Sequence, residues 1–343
     1  MIKTVRFTDV QIELAHGAGG KASRRLIEGL LLPYLTNPVL EALSDAASLE
    51  VNGTRLAFTA DSFVVKPLKF PGGSIGELAV NGTVNDLAVS GAKPLALLST
   101  LILEAGLSAE TLELQIRAMA EAGERAGVNI VGGDTKVVEH GKADGLYITT
   151  AGIGLVDTRV KLSPGQVRPG DQILISGPIG DHGITVLLAR GELDLEANLS
   201  SDTRAIWPLV ELLIDKAAPG LRWMRDPTRG GVATALNELA RDAKVGIALC
   251  EEKIPVREPV RGACEVLGLD PLHIANEGQF IAVVSKEYAE QGLESLRALP
   301  GGSLSAIIGE VCEEHRGSVV VRTSYGATRV VDMLVGDPLP RIC

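Results

Sequence analysis

Short apolar runs alternate with helix-spaced apolar stripes along most of this 343-residue chain. A polar opening leads into the glycine cluster His16-Gly17-Ala18-Gly19-Gly20-Lys21, and a helical stretch then runs to Leu35 and stops at Asn37-Pro38. Leu56 to Thr59 reads as a strand ending at Asp61. Ile75 to Val89 keeps helical spacing through Ile75, Leu78, Ala79, Gly82 and Val89. Leu95 to Leu103 is a β-like run. Ser108 then caps a helix whose apolar positions Leu112, Ile116, Met119 and Ala120 share one face. Val128 to Val131 predicts a strand that gives out at Gly132-Gly133-Asp134, and Leu146 to Val156 predicts another. Ser163-Pro164-Gly165 and Pro169-Gly170 interrupt the pattern. It restarts with a strand from Gln172 to Ser176, an amphipathic helix through Val232, Ala235, Leu236, Leu239 and Ala240, and strands at Gly246–Cys250 and Phe280–Val284.

This alternation reads as α/β or α+β in two domains, as the length also suggests. Residues 1–37 are an arm and helix, 38–160 a first domain, 161–335 a second, and 336–343 a mobile tail.

Charge narrows the function. Lys and Arg number 33 against 43 Asp and Glu, a net charge of −10, which repels phosphate backbones and anionic lipid headgroups. Five Phe, four Tyr and two Trp are too few for a base-stacking platform. No apolar run reaches membrane-span length, and the charged first residues are no signal segment. Cys250, Cys264, Cys312 and Cys343 form no CxxC pair, so the chain reads as cytoplasmic with reduced thiols, with neither nucleic acid nor membrane as partner.

Candidate chemistry starts at the glycine cluster. A Walker A loop would place glycine at position 15 and a hydroxyl at 22; both are alanine. Gly17-x-Gly19-x-x-Ala22 fits the loose dinucleotide pattern but lacks the strand that should precede it. What remains is a run of glycine amides beside Lys21, either an anion nest or a plain flexible arm. His16 is the one histidine placed to join it, and no HExxH or GxSxG motif occurs. Asp45, Asp61, Asp86, Asp134 and Asp226 each sit at the edge of an apolar element beside a small or hydroxyl residue. One such aspartate ordinarily caps a turn; five can converge on Mg²⁺, which accepts carboxylate and phosphate oxygens together. Asn81 and Asn85 share a helix face next to Asp86. The tail Gly336-Asp-Pro-Leu-Pro-Arg-Ile-Cys343 is either an extended segment of roughly 26 Å able to carry a terminal thiol between sites, or a frayed end.

These motifs together resemble a known family. His16-Gly-Ala-Gly-Gly-Lys21, Thr59-Ala-Asp-Ser-Phe-Val-Val65, Phe70-Pro-Gly-Gly73, Gly82-Thr-Val-Asn-Asp-Leu-Ala-Val-Ser-Gly91, Gly133-Asp-Thr-Lys-Val-Val138, Asp226-Pro-Thr-Arg-Gly-Gly231 and Asn276-Glu-Gly278 are similar to motifs of the PurM-like ATP-dependent enzymes. That superfamily includes aminoimidazole ribonucleotide synthetase and selenophosphate synthetase. The ending Pro340-Arg-Ile-Cys343 resembles specifically the HypE carbamoyl dehydratases of hydrogenase maturation.

The resemblance covers nearly the whole chain and implies two PurM-like domains, with a β-barrel built by homodimerisation. It implies ATP and Mg²⁺ between the domains, with His16, Gly17, Gly19, Gly20, Lys21, Asp61, Asn85 and Thr135 toward the nucleotide and the five aspartates toward metal. It further implies a carbamoyl group placed on Cys343 by the carbamoyltransferase HypF and dehydrated to a thiocyanate with ATP. The cyanide then passes to iron on the HypC–HypD complex for a NiFe hydrogenase. Lys136 and Glu277 are the expected proton-transfer residues. Two alternatives stay open: a sister selenophosphate or purine-type synthetase, although residues 16–21 hold no cysteine, and a non-enzymatic thiol carrier.

Overall fold

The computed structural model describes residues 6–191, 197–336, 339 and 341–343. The arm forms α1 (Gly20–Leu26) and α2 (Leu32–Leu35), joined by a π-turn at Ile27–Leu31. Next come β1 (Ala47–Val51), β2 (Thr54–Phe63), the short hairpin β3 (Lys69–Phe70) and β4 (Gly73–Ser74), and α3 (Ile75–Val89). β5 (Ala92–Glu104), α4 (Ala109–Ala126), β6 (Asn129–Val138) and β7 (Leu146–Val156) complete the first half. Its sheet runs β1-β2-β7-β5-β6, antiparallel except for the β5–β6 pair. The Ser108 hydroxyl accepts the Thr111 amide at 3.1 Å as the α4 cap, and Gly127 at φ +68° closes the helix. α3 is buried almost all round because it lies between this sheet and the second domain, as its near-continuous apolar sequence requires.

The second half contains β8 (Gln172–Ile175), α5 (Asp181–Ala189), α6 (Trp207–Ala217), β9 (Leu221–Arg225), α7 (Gly231–Ala243) and β10 (Gly246–Cys250). α8 (Glu258–Leu267), β11 (Ile281–Val284), α9 (Lys286–Arg297), β12 (Ala306–Cys312), β13 (Val319–Arg322) and β14 (Thr328–Val331) follow. The sheet order is β14-β13-β10-β12-β8-β11-β9. Its central strands are apolar on both faces because both are covered. Ile173, Ile175, Ile281 and Val283 pack with α7, while Leu174, Ala282 and Val284 pack with α6 and α9. Among the described residues no helix is long and apolar enough to cross a membrane.

One expectation is corrected here. β6 does not stop at Gly132-Gly133 but continues through Asp134, Thr135 and Lys136 to Val138. Gly133 lies so close to β5 that a Cβ would fall 1.6 Å from the Ser99 carbonyl oxygen. The glycine pair therefore marks a close strand contact next to a register shift rather than a loop. Within one chain, moreover, the five-stranded sheet is open and closes into no barrel.

Candidate active site

A cleft of about 470 Å³ opens where the arm, both domains and the tail meet. Residues from all four line it: Gly17, Gly19 and Gly20; Asp45, Asp61 and Asp86; Asp226, Arg229 and Glu277; and Cys343. The carboxylates arrive from different elements. Asp45 precedes β1, Asp61 sits late in β2, Asp86 is on the inner face of α3, and Asp226 follows β9 directly.

Ligand oxygens of Asp45, Asp86 and Asp226 all lie within 4.8 Å of one another. The Thr59 hydroxyl is 2.7 Å from the Asp86 carboxylate. Arg225 donates to Asp45 at 2.7 Å and spends its other arm on Glu238, also at 2.7 Å. Burial, then repulsion from the neighbouring aspartates, pushes the carboxyls of Asp86 and Asp226 well above the usual range. Oxygen-only donors, held together and underneutralised, fit a hard divalent cation such as Mg²⁺.

Glu277 is 2% exposed, and its Oε1 has no hydrogen-bond partner among the described residues. Burial first, then Asp226, Asp202 and Asp61, raise its carboxyl well above the ordinary value, while Arg229 pulls the other way. Arg229 itself holds its proton more firmly, chiefly through the charge at Cys343. Sequence reasoning passed over Arg225 and Arg229; both sit in the motif around Asp226, and a cation flanking a buried carboxylate was the available signal.

The tail docks at the cleft. Leu339 and Ile342 are buried with Ile184, Leu199, Val260 and Ile274. His182 Nε2 lies 3.0 Å from the Ile342 carbonyl, and the Val64 amide donates to the Cys343 carbonyl at 3.0 Å. Arg341 pairs with Asp144, and its φ of +57° breaks the extended path expected of the tail. Residues 337, 338 and 340 lie outside the described set.

Several expected residues do other work. Lys21 leaves the cleft and pairs with Asp332 at 2.5 Å. Its amide and that of Ala22 donate to the carbonyls of Leu334 and Val335, which fastens the arm to the tail's root. Gly20, at φ +69°, permits this approach, because a Cβ there would fall 2.4 Å from the Leu334 oxygen. His16 lines the cleft, but Nδ1 accepts the Glu13 amide and Nε2 donates to Asp9 at 2.7 Å, so its ring holds the arm in shape. Asn85 is buried and bonded to backbone, away from the cleft lining. Asp134, Thr135 and Lys136 are exposed on β6 and do not line this chain's cleft; Lys136 pairs with Asp134 at 2.7 Å. Asp134 therefore does not join the other aspartates within one chain.

The architecture defines a class. Residues 43–156 match the AIR synthase related protein N-terminal domain, and residues 168–322 match its C-terminal domain. At the level of single proteins, the chain is 50% identical over 332 residues to carbamoyl dehydratase HypE of Azotobacter vinelandii, covering 97% of each. A crystal structure of a HypE–HypF complex superposes with TM-score 0.86 at 45% identity, covering 90% of this chain and 99% of that one. A HypE crystal structure in complex with ATP gives 0.81 at 45% identity, covering 97% of this chain and 100% of that one. The chain belongs to the HypE carbamoyl dehydratase family.

Proposed function

We propose that the chain dehydrates an S-carboxamide on its own Cys343 to a thiocyanate, driven by ATP. One observation carries the reading: the terminal cysteine, a buried glutamic acid and a carboxylate cluster line the same cleft. A passive thiol carrier has no use for such a costly cluster of buried acids. A relative with ATP bound supports nucleotide in the cleft.

The carboxamide oxygen is a poor leaving group until phosphorylated. It attacks the γ-phosphorus of ATP and releases ADP. The carbon–oxygen bond then breaks, phosphate departs and the carbon–nitrogen triple bond forms. Of the two N–H protons, one ends on hydrogen phosphate and the other in solvent. Glu277 is placed to take a nitrogen proton, and its desolvated carboxylate is a stronger base than an exposed one. Asp45, Asp86 and Asp226, with Asp61 beside them, would hold Mg²⁺. That ion supplies charge neutralisation on the transferring phosphoryl group. Gly17, Gly19 and Gly20 form the cleft's glycine wall toward the phosphates.

A homodimer is part of the proposal. Leu98 and Leu155 are exposed on the face of the first sheet opposite the buried Leu97, Ile148 and Gly152, with Leu95 and Val131 exposed at the irregularities of β5 and β6 beside them. An apolar face of this kind marks an interface, and a second open sheet would close it toward a barrel. Lys136 stands on the same edge strand, and we assign its role toward the amide or departing phosphate to the cleft of a second copy. HypF, found with a relative in one crystal, would supply the carbamoyl group. The cyanide would pass to iron on HypC–HypD for a NiFe hydrogenase, in the cytoplasm.

Intact-mass measurement after incubation with HypF, carbamoyl phosphate and ATP tests the reading. The chain should gain a carbamoyl group and then lose one water, and Cys343→Ala should gain nothing. Modification of that variant, or a carbamoyl adduct that never loses water, would overturn it.

A further inference from the structure

We infer that Asn85 and Asp202 are positioning residues that hold the Glu277 peptide from both sides and so aim its side chain into the cleft. The inference rests on the base role proposed above for Glu277. Residues 274–280 contain neither helix nor strand, so no regular hydrogen-bond ladder fixes this segment. Glu277 Oε1 has no hydrogen-bond partner either, so that oxygen does nothing to hold the carboxyl in place. Its orientation comes from the main chain. Asp202 Oδ1 accepts the Glu277 amide at 3.0 Å, and Oδ2 accepts the Gly278 amide at 3.2 Å.

On the other side, Asn85 Nδ2 donates to the Glu277 carbonyl at 3.0 Å and to the Arg204 carbonyl at 2.9 Å. Asn85 Oδ1 accepts the Ile206 amide at 2.9 Å. One side chain on α3 thus ties the segment bearing Glu277 to the strand of chain bearing Asp202. The contact is too close for any side chain at 278, where a Cβ would lie 1.7 Å from the Asp202 carbonyl oxygen. Desolvation lifts Asp202 to about 6, so near neutral pH it is mostly the anion, the form that accepts both amides.

The test charges Cys343 with HypF and carbamoyl phosphate and then follows single-turnover loss of water by intact mass. Asp202→Ala should bind ATP and accept the carbamoyl group as the parent does, yet lose water about a hundredfold more slowly. Asp202→Asn keeps one acceptor and should fall between; it carries the test should Asp202→Ala fold poorly. Combining Asp202→Ala with Glu277→Gln should be no slower than Glu277→Gln alone, because both act through one carboxyl, a result that a merely structural role would not give. Dehydration within twofold of the parent in Asp202→Ala and Asp202→Asn, with Glu277→Gln stalled, overturns the positioning role alone. Dehydration at the parent rate in Glu277→Gln overturns the base assignment itself.

Discussion

Asp86, Asp226 and Glu277 bind their protons more tightly in the folded chain than in the unfolded one. The sign follows by linkage. A raised carboxyl pKa means that the native state holds more protons, so stability falls as pH rises above the ordinary carboxylate value toward the raised one. His182 acts oppositely, being depressed to about 4, but its effect is complete above its ordinary value of about 6.5. As pH rises from the ordinary carboxylate value and these groups ionise, the metal-free chain should therefore lose the stability they contribute, and Mg²⁺ should restore it by binding the ionised cluster. Asp226→Asn should flatten this slope and lose most of the Mg²⁺ response; a full Mg²⁺-dependent rise in Tm in that variant refutes the metal assignment. Four of the five aspartates line the cleft, and each was conspicuous in sequence as a carboxylate at the rim of an apolar run. Asn85 and His16 spend their polar atoms on backbone groups and on Asp9, bonds that leave no mark in the local sequence.

Among the elements, the tail and β6 depart most from their sequence patterns. Two prolines made the tail read as mobile, yet Leu339 and Ile342 give it apolar anchors in a site assembled from α5, α8 and the segment before β11. Those walls come from residues more than sixty positions upstream, beyond the reach of any local pattern. Docking of this kind has a measurable consequence. Ile342→Ala removes buried methyl groups worth about 2–5 kcal/mol, so carboxypeptidase should trim the tail at least tenfold faster while global Tm moves little. Unchanged trimming would show that Ile342 is no anchor. Periodicity made α3, α4 with its Ser108 cap, α7 and the strands β2, β5, β7, β8, β10 and β11 readable, whereas α5, α6, α8, α9 and the last three strands carried no pattern strong enough to name. β6 was cut short because glycine signals a turn locally, whereas here it serves a close approach to β5.

For the whole molecule, the two-domain α/β plan was legible in the alternation of strands and helices, and the cleft was not, because arm, domains and tail meet only in three dimensions. The exposed apolar sheet face should seat a second copy. Leu98→Glu with Val131→Glu should raise the dimer Kd about a hundredfold or more by sedimentation velocity while each chain stays folded; an undisturbed dimer would place the interface elsewhere. The central claim is that the carboxamide oxygen leaves as phosphate, and an oxygen label reads it directly. Cys343 is charged with heavy-oxygen carbamoyl phosphate through HypF, and ATP turnover proceeds in ordinary water. The label should appear in the inorganic phosphate, one atom for each thiocyanate formed. Thiocyanate formed with the label in water and none in phosphate would contradict the account.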